Sequence, residues 1–86
     1  MKKWYLYIVE CKDGSLYTGI TTDLKRRMAE HKEGLGCKYT AAKGFLRLRH
    51  KEVLKSRSAA AKREAEIKNW PKAKKKKLIG SLRLAV

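Results

Sequence analysis

One stretch of the chain, Tyr17 to His31, reads YTGITTDLKRRMAEH. It begins with residues typical of a strand and continues, after the polar residues 21–23 (TTD), into the spacing of a helix. Hydroxyl and carboxylate side chains at that boundary are suited to capping a helix. The stretch carries a phenol at Tyr17, a guanidinium at Arg27 and an imidazole at His31, which together suit chemistry on a phosphodiester.

A β-hairpin leads into this stretch. Residues 3–10 (KWYLYIVE) are mostly aromatic or branched, which predicts an inner strand covered on both faces. A turn follows at residues 12–14 (KDG), and residues 15–20 (SLYTGI) predict the second strand. The two strands are therefore expected to be antiparallel neighbours.

The length of the hairpin loop decides whether Tyr7 and Tyr17 share a face of the sheet. A two-residue Asp-Gly turn places them on opposite faces, because side chains alternate along each strand. A three-residue loop with Gly14 in the left-handed conformation pairs Tyr7 with Gly19 and puts both tyrosines on one face. The sequence alone permits either register.

The first helix is predicted from a cap among Thr21, Thr22 and Asp23 to about Gly34. Its expected apolar stripe consists of Leu24, Met28 and Leu35. Arg27 and His31 are four residues apart and therefore point the same way. Residues 34–42 predict a basic loop.

The rest of the chain predicts a third strand and two helices. Residues 45–54 alternate between apolar and basic side chains, which predicts a strand with one solvent-exposed, basic face. We expect His50 on the surface. Ser56 or Ser58 caps an alanine-rich helix that continues to Asn69.

Two glutamates of that helix are predicted to face different ways. The inward stripe is expected to consist of Ala60, Ala61, Glu64 and Ile67. Glu66 lies instead with the basic side of the helix. Because an isolated buried carboxylate is costly, Glu64 needs a partner, and either a metal ion or Arg27 would serve.

The last helix is predicted from Pro71 to Leu82, since proline is well suited to the first turn of a helix. Its apolar side is expected to contain Leu78, Ile79 and Leu82. Lys72 and Lys74 to Lys77 crowd the other side, which is either a solvated face or a phosphate-contacting one. The net charge favours phosphate contact.

Composition limits the class of protein. At 86 residues the chain has room for one modest core. Its 23 Lys and Arg against 8 Asp and Glu give a net charge of +15, which attracts nucleic acid first and anionic membranes second. No apolar run approaches the ~20 residues of a membrane span, and the N-terminus lacks the pattern of a signal peptide, which predicts a cytoplasmic protein. Cys11 and Cys37 form no Cys-x-x-Cys motif and have no nearby histidine pair, which disfavours zinc, and a structural disulfide is not expected in a reducing compartment.

Two tripeptides and two later motifs resemble the GIY-YIG nuclease domain, and more closely the small stand-alone bacterial proteins that consist of little else. The matching residues are Tyr5-Leu6-Tyr7, Tyr17-Thr18-Gly19, the helix motif Asp23, Leu24, Arg27 and His31, and the acidic-helix motif Lys62-Arg63-Glu64. The similarity extends from about Trp4 to Ile79. Tyr5-Leu6 replaces the family's Gly-Ile, Thr18 replaces an isoleucine, and Asn69 is the only candidate for the family's late asparagine.

The resemblance implies a fold and an activity. The fold is a single α+β domain over residues 1–86, in which helices flank a three-stranded antiparallel sheet in the order β-β-α-β-α-α. The activity is hydrolysis of phosphodiester bonds in DNA, or alternatively RNA, with Mg²⁺ as the cofactor and Mn²⁺ as the alternative metal. We expect no membrane contact, no obligate protein partner, and a monomer or weak homodimer.

The resemblance also implies a role for each matching residue. Tyr17 would be the general base or relay its proton, Tyr7 would orient Tyr17, Arg27 would stabilise charge on the phosphate, and His31 would assist through a hydrogen bond. Glu64 would hold the metal, Gly19 would allow close approach of the backbone, and Tyr5 and Asn69 would support the site. The predicted nucleic-acid-binding residues are Lys38, Arg47, Arg49, Lys74, Lys75, Lys76 and Lys77.

A non-catalytic nucleic-acid-binding module that retains the fold is the alternative function. Both functions account for the net charge of +15. Only the enzyme requires Tyr7, Tyr17, Arg27 and Glu64 to come together in space, so their placement in the structure discriminates between the two.

Overall fold

The computed structural model describes residues 3–84, with side chains described as far as Ile79. The elements are β1 (Trp4–Cys11), β2 (Leu16–Thr21), α1 (Leu24–Lys32), α2 (Lys38–Lys43), β3 (Phe45–Leu54), α3 (Arg57–Lys68) and α4 (Lys72–Leu84). The strands form one antiparallel sheet in the order β2-β1-β3. The predicted α+β class is confirmed, and the short helix α2 is added to the predicted order.

The hairpin between β1 and β2 has the three-residue loop. Gly14 has φ 85°, in the left-handed region that glycine adopts without a steric penalty. The backbone N–H of Cys11 donates to the carbonyl of Ser15 at 2.8 Å, which closes the loop. Tyr7 lies opposite Gly19 and Val9 lies opposite Tyr17, so the register that places both tyrosines on one face is confirmed.

The aliphatic core lies on the other face of β1. Leu6 and Ile8 are completely buried and pack with Ile67 of α3 and Ile79 of α4. Partly buried residues that close this core are Leu16, Ile20, Leu54, Trp70 and Leu78. Because side chains alternate along a strand, Tyr7 and Val9 point away from this core toward the opposite face. The central strand is therefore covered on both faces, as its sequence predicts.

The first helix is shorter than predicted. Asp23 is its N-cap, and the Asp23 Oδ1 atom accepts a hydrogen bond from the backbone N–H of Arg26 at 3.0 Å. The helix ends at Lys32, so the prediction that Leu35 belongs to its apolar stripe is wrong. Leu35 lies beyond the last turn and is 72% exposed.

The prediction of a loop over residues 34–42 is wrong in its second half. Lys38 to Lys43 form α2, a six-residue helix. Thr40 is completely buried in it, and Lys38 and Tyr39 are exposed. A single polar anchor on so short a helix gives no apolar periodicity for sequence reasoning to detect.

Strand β3 has the predicted bounds, but His50 is buried and not on the surface as predicted. The pairing of β1 with β3 shifts between Ile8 and Val9, so Ile8 lies opposite His50 while Val9 lies opposite Leu48. This irregularity shifts the alternation of side chains along β3 by one residue, so that His50 points toward the core face. There its Nε2 atom lies 2.8 Å from the Glu52 carboxylate.

Helix α3 begins at the first of the two caps that the sequence permits. Ser56 is the N-cap, and its hydroxyl accepts a hydrogen bond from the backbone N–H of Ala59 at 3.1 Å. Ala60 and Ile67 are buried as predicted, but Ala61 is exposed, so its assignment to the inward stripe is wrong. Asn69 is the exposed C-cap residue.

Helix α4 starts directly after Pro71 and runs to Leu84, two residues past the predicted end. Leu78 and Ile79 pack on the core as predicted, whereas the side chain of Leu82 lies outside the described residues. Within residues 3–84, none of the helices has the length and apolar character needed to cross a membrane.

Candidate active site

Two tyrosines from neighbouring strands form the centre of the candidate site. The rings of Tyr7 on β1 and Tyr17 on β2 have centroids 6.5 Å apart and are tilted by 46°. They meet because the three-residue loop sets the register of the hairpin. Tyr7 is 1% exposed, whereas Tyr17 is only partly buried, so Tyr17 is the phenol that solvent can reach.

Gly19 makes room for the Tyr7 side chain. A Cβ atom built at Gly19 would overlap the Tyr7 hydroxyl and would lie 2.6 Å from its ring carbon Cζ. Since both residues are directly opposite in the sheet, the Tyr7 ring leans across β2 over Gly19. Any larger residue at position 19 would displace the phenol from this place.

A chain of hydrogen bonds connects Tyr7 to two helices. The Tyr7 hydroxyl lies 2.9 Å from His31 Nε2 on α1, and Arg27 Nε donates to the same hydroxyl at 3.3 Å. On the far side of the imidazole, His31 Nδ1 lies 2.7 Å from the Thr40 hydroxyl on α2. His31 and Thr40 are 1% and 0% exposed, so both are shielded from water.

One arrangement of protons satisfies every member of this chain. The Thr40 hydroxyl donates to the backbone carbonyl of Cys37 at 3.4 Å and accepts from Nδ1–H of His31. His31 Nε2 then accepts the proton of the Tyr7 hydroxyl, whose oxygen accepts from Arg27. Burial, helped by the charge of Arg27, lowers the pKa of His31, which keeps the imidazole neutral as this arrangement requires.

Arg27 lies at the edge of the site and uses only part of its hydrogen-bond donors there. Its Nη1 atom lies 3.2 Å from the Glu30 carboxylate one turn later, and its side chain is 28% exposed. Two of its five N–H donors are used by Tyr7 and Glu30. The remaining donors suit the oxygens of a phosphate.

Tyr17 is surrounded by aromatic and basic groups. Its ring stacks on Tyr39 with centroids 5.6 Å apart and meets His31 edge-on at 5.9 Å. The Lys68 ammonium of α3 lies 5.5 Å from the Tyr17 ring centroid. Burial raises the pKa of Tyr17 to about 12, and the neighbouring Cys37 adds to this increase. The phenol is therefore neutral at physiological pH.

Glu64 is connected to the site by an ion pair with Lys68, whose ammonium lies near the Tyr17 ring. Its carboxylate lies 3.3 Å from the Lys68 ammonium and is 24% exposed. Its negative charge contributes to the raised pKa values of both Tyr7 and Tyr17, after the larger effect of burial. The predicted alternative pairing of Glu64 with Arg27 is wrong, because Arg27 pairs with Glu30.

The donor set of this region fits a hard divalent cation that keeps most of its water. Within the described part of the chain, no group of three or more His, Cys, Asp or Glu side chains is placed to hold a metal. A single accessible carboxylate such as Glu64 is typical of Mg²⁺ sites that are completed by water and substrate phosphates. Glu64 is the residue here that could hold such an ion.

Other predicted site residues lie outside this cluster. Tyr5 is on the same face of β1 as Tyr7 and lines a separate groove, and Asn69 ends α3.

The predicted nucleic-acid-binding residues also lie outside the cluster. Arg47 and Arg49 both pair with Glu10, which partly neutralises their charge. The Lys74 ammonium lies 4.3 Å from the centroid of the Trp70 ring, while Lys76 and Lys77 are exposed on α4.

Sequence reasoning missed several residues of the cluster. Thr40 and Cys37 belong to the segment that was predicted as a loop, and no motif marks them. Burial of the Cys37 thiol favours a higher pKa, but hydrogen bonds with Thr40 and Tyr17 outweigh it and hold the pKa below its usual range. Lys68 carries a usable signal, since it follows Glu64 by four residues on the same helix.

Comparison with known proteins connects this geometry to a family. A family model described as the GIY-YIG catalytic domain matches residues 3–77. The UPF0213 protein SSP2268 of Staphylococcus saprophyticus is 48% identical over 79 residues, which cover 92% of this chain and 96% of that protein. The UPF0213 protein HQ_3675A of Haloquadratum walsbyi is 53% identical over 74 residues, which cover 86% of this chain and 83% of that protein.

Solved structures agree with these sequence matches. The solution NMR structure of the UPF0213 protein BH0048 from Bacillus halodurans has a TM-score of 0.58 and 44% identity, and the match covers 91% of this chain and 83% of that one. The solution NMR structure of the protein EF2693 from E. faecalis has a TM-score of 0.64 and 38% identity, covering 98% and 90%. The chain therefore belongs to the GIY-YIG family, a nuclease family, and its relatives are small UPF0213 proteins.

Proposed function

We propose that this protein is a divalent-metal-dependent endonuclease that hydrolyses phosphodiester bonds in DNA. One observation carries the proposal: Tyr7, Tyr17, Arg27 and His31 lie in a single cluster on one face of the sheet. Glu64 is connected to the same cluster through Lys68. A module that only binds nucleic acid has no need for a buried, hydrogen-bonded phenol beside a second, accessible one.

Tyr17 acts as the general base toward the attacking water. Its phenol is partly buried yet accessible, and its pKa of about 12 makes it a strong base in the small fraction of molecules that are ionised. The Lys68 ammonium near the ring favours that ionised form through its positive charge. We expect the cleavage rate to rise with pH between 7 and 9, because the phenolate fraction grows tenfold per pH unit below the pKa.

Tyr7 and Arg27 act as a unit on the phosphate. The Tyr7 hydroxyl holds the Nε atom of Arg27, and the chain of His31 and Thr40 holds Tyr7 in turn. The free donors of Arg27 then stabilise the charge that develops on the phosphate oxygens in the transition state. Preorganisation of this kind matters because a guanidinium fixed before the reaction needs no rearrangement during it.

Glu64 would hold Mg²⁺, or Mn²⁺ in its place, with the remaining positions taken by water and phosphate oxygens. When bound, the ion supplies stabilisation of the negative charge on the leaving oxygen. The carboxylate is available for this role because its Lys68 partner is half exposed, and exposed ion pairs are weak.

A nuclease assay tests the proposal. The purified chain is incubated with branched, single-stranded and duplex DNA in Mg²⁺ and in EDTA, beside the Tyr17→Phe variant purified in the same way. We expect cleavage of at least one substrate that requires Mg²⁺ and is lost in Tyr17→Phe. DNA binding without cleavage in any metal would overturn the proposal in favour of the non-catalytic module.

A further inference from the structure

A groove separate from the tyrosine cluster lies between the start of α1 and β3. Its volume is about 870 Å³, which is within the ~300–1,000 Å³ typical of ligand sites. We call it the α1–β3 groove and define it by Lys3, Tyr5, Lys25, Met28, Leu48 and Lys51. None of the nucleic-acid-binding residues predicted from sequence lines it.

Three residues of the groove are neighbours of residues in the candidate active site. Lys51 lies directly opposite Tyr7 in the sheet, and directly opposed residues share a face. Tyr5 precedes Tyr7 by two residues on the same face of β1. Met28 follows Arg27 on α1. A ligand in the groove would therefore lie beside residues that adjoin Tyr7 and Arg27.

The basic side chains that line the groove are not neutralised by ion pairs with other described residues. Its basic residues are Lys3, Lys25, Arg26 and Lys51. Within the residues whose side chains are described, none of these four forms an ion pair, whereas Arg27, Lys43, Arg47, Arg49, Arg63 and Lys68 all do. The one acidic residue that lines the groove, Asp23, is engaged as the N-cap of α1.

Apart from Thr22, the remaining lining is aromatic and apolar. Tyr5, Met28 and Leu48 are all partly buried and so present part of their surface to the groove. An aromatic ring among apolar side chains suits contact with the flat face of a base, while lysines around it suit phosphates. This combination distinguishes a nucleotide from a small anion, which needs no aromatic surface, and from an apolar peptide, which needs no cations.

We propose that the α1–β3 groove binds the nucleic-acid strand that flanks the cleaved phosphodiester, with a base on Tyr5 and phosphates at Lys25 and Lys51. The claim that this strand is cleaved rests on the proposed function, whereas the claim that nucleic acid binds in the groove does not. Arg47 lies opposite Glu10 on the other face of the sheet, and Arg49 pairs with the same carboxylate, so neither arginine is part of this contact.

Binding measured against salt tests this site. The full chain is titrated into a fluorescein-labelled single-stranded DNA and into its duplex, both in EDTA, at several NaCl concentrations. The test variant is Lys25→Gln with Lys51→Gln. Its matched control, Lys12→Gln with Lys62→Gln, removes the same charge from exposed lysines that do not line the groove.

We expect the groove variant to flatten the slope of log affinity against log salt by about 1.4 on single strands, since each lost phosphate contact removes about 0.7. The control should change the slope much less. Tyr5→Leu should weaken binding about fivefold or more with an unchanged salt slope, because it removes a base contact and no charge. Melting temperatures verify that each variant is folded.

Equal effects of the two double variants on the salt slope would overturn the proposal, and so would absence of binding by the unaltered chain. A protein that binds DNA through the groove but never cleaves it would refute the nuclease function and leave the groove assignment standing. If the groove variants bind DNA with unchanged affinity and still cleave it, the groove assignment is refuted and the nuclease function stands.

Discussion

The two faces of β1 are both buried, but they are buried by different means. Leu6 and Ile8 are 0% exposed and pack against apolar side chains of α3 and α4. Tyr7, only 1% exposed, points the other way and is held by hydrogen bonds from α1. One strand can therefore serve two purposes, because alternate side chains never compete for the same space.

The difference between the faces predicts different responses to substitution. Apolar packing is not directional, so the core face contributes mainly free energy of unfolding. The hydrogen-bonded face depends on the placement of single atoms, and removing one partner leaves another buried group unsatisfied. Stability and catalysis should therefore separate according to which face is altered.

The largest effect on stability is expected from Ile8→Ala. Removing a completely buried aliphatic side chain leaves a cavity in the core, and the free energy of unfolding should fall by ~2–5 kcal/mol. Val53→Ala is the control, since Val53 is 56% exposed and should change stability little. Denaturant unfolding measures both, and equal losses would contradict the assignment of the core to this face.

A smaller effect is expected from Tyr7→Phe. The substitution keeps the ring but leaves His31 Nε2 and Arg27 Nε without their shared partner, at a cost of ~1–3 kcal/mol. Tyr39→Phe is the matched control, because Tyr39 is 38% exposed and its loss should be near zero. A Tyr7→Phe protein as stable as the unaltered chain would show that the hydrogen-bonded chain contributes nothing to folding.

The smallest effect is a dependence of stability on pH. Burial lowers the pKa of His31 in the folded state, so the unfolded chain binds more protons just below pH 6.5. Stability should be complete above pH 6.5 and should decrease as the pH falls below it, by up to about 1.4 kcal/mol per pH unit. Glu10 and Glu52, whose pKa values are also lowered, lose their contributions only below about pH 4.5.

Thermal melts of the unaltered chain and of His31→Gln between pH 7 and 5 measure this dependence. The variant has no imidazole at position 31, so its melting temperature should fall less steeply than that of the unaltered chain in this interval. Parallel curves for the two proteins would contradict the neutral, buried state of His31.

Much of this arrangement could be predicted from sequence because it depends on local rules. The aromatic and branched run KWYLYIVE, the turn residue Gly14 and the polar capping residues before the two helices each specify a local geometry, and the structure contains all of them. The sequence permitted two hairpin registers. The choice between them required the structure, because it depends on how the loop closes.

The remaining features arise from long-range packing. His50 lies between the charged neighbours Arg49 and Lys51 and was expected on the surface, but the irregular pairing of β3 with β1 turns it inward. Helix α2 is placed by one buried hydroxyl, Thr40, whose partner His31 is nine residues away. Neither feature leaves a periodic pattern in the sequence.

The central claim, that the hydrogen-bonded face carries out metal-dependent chemistry, is tested most directly at Glu64. Cleavage, DNA affinity and melting temperature are measured together for Glu64→Ala and for Glu66→Ala. Glu66 is on the same helix, its side chain is 57% exposed, and it contacts Arg63, away from the tyrosines.

Glu64→Ala should lose at least ~100-fold in Mg²⁺-dependent cleavage, because the ion that stabilises the transition state would lose its protein ligand. DNA affinity should be kept or slightly increased, since one negative charge leaves a basic surface. Glu66→Ala should cleave at nearly the rate of the unaltered chain. A folded Glu64→Ala protein that cleaves as fast as the unaltered chain would contradict the claim.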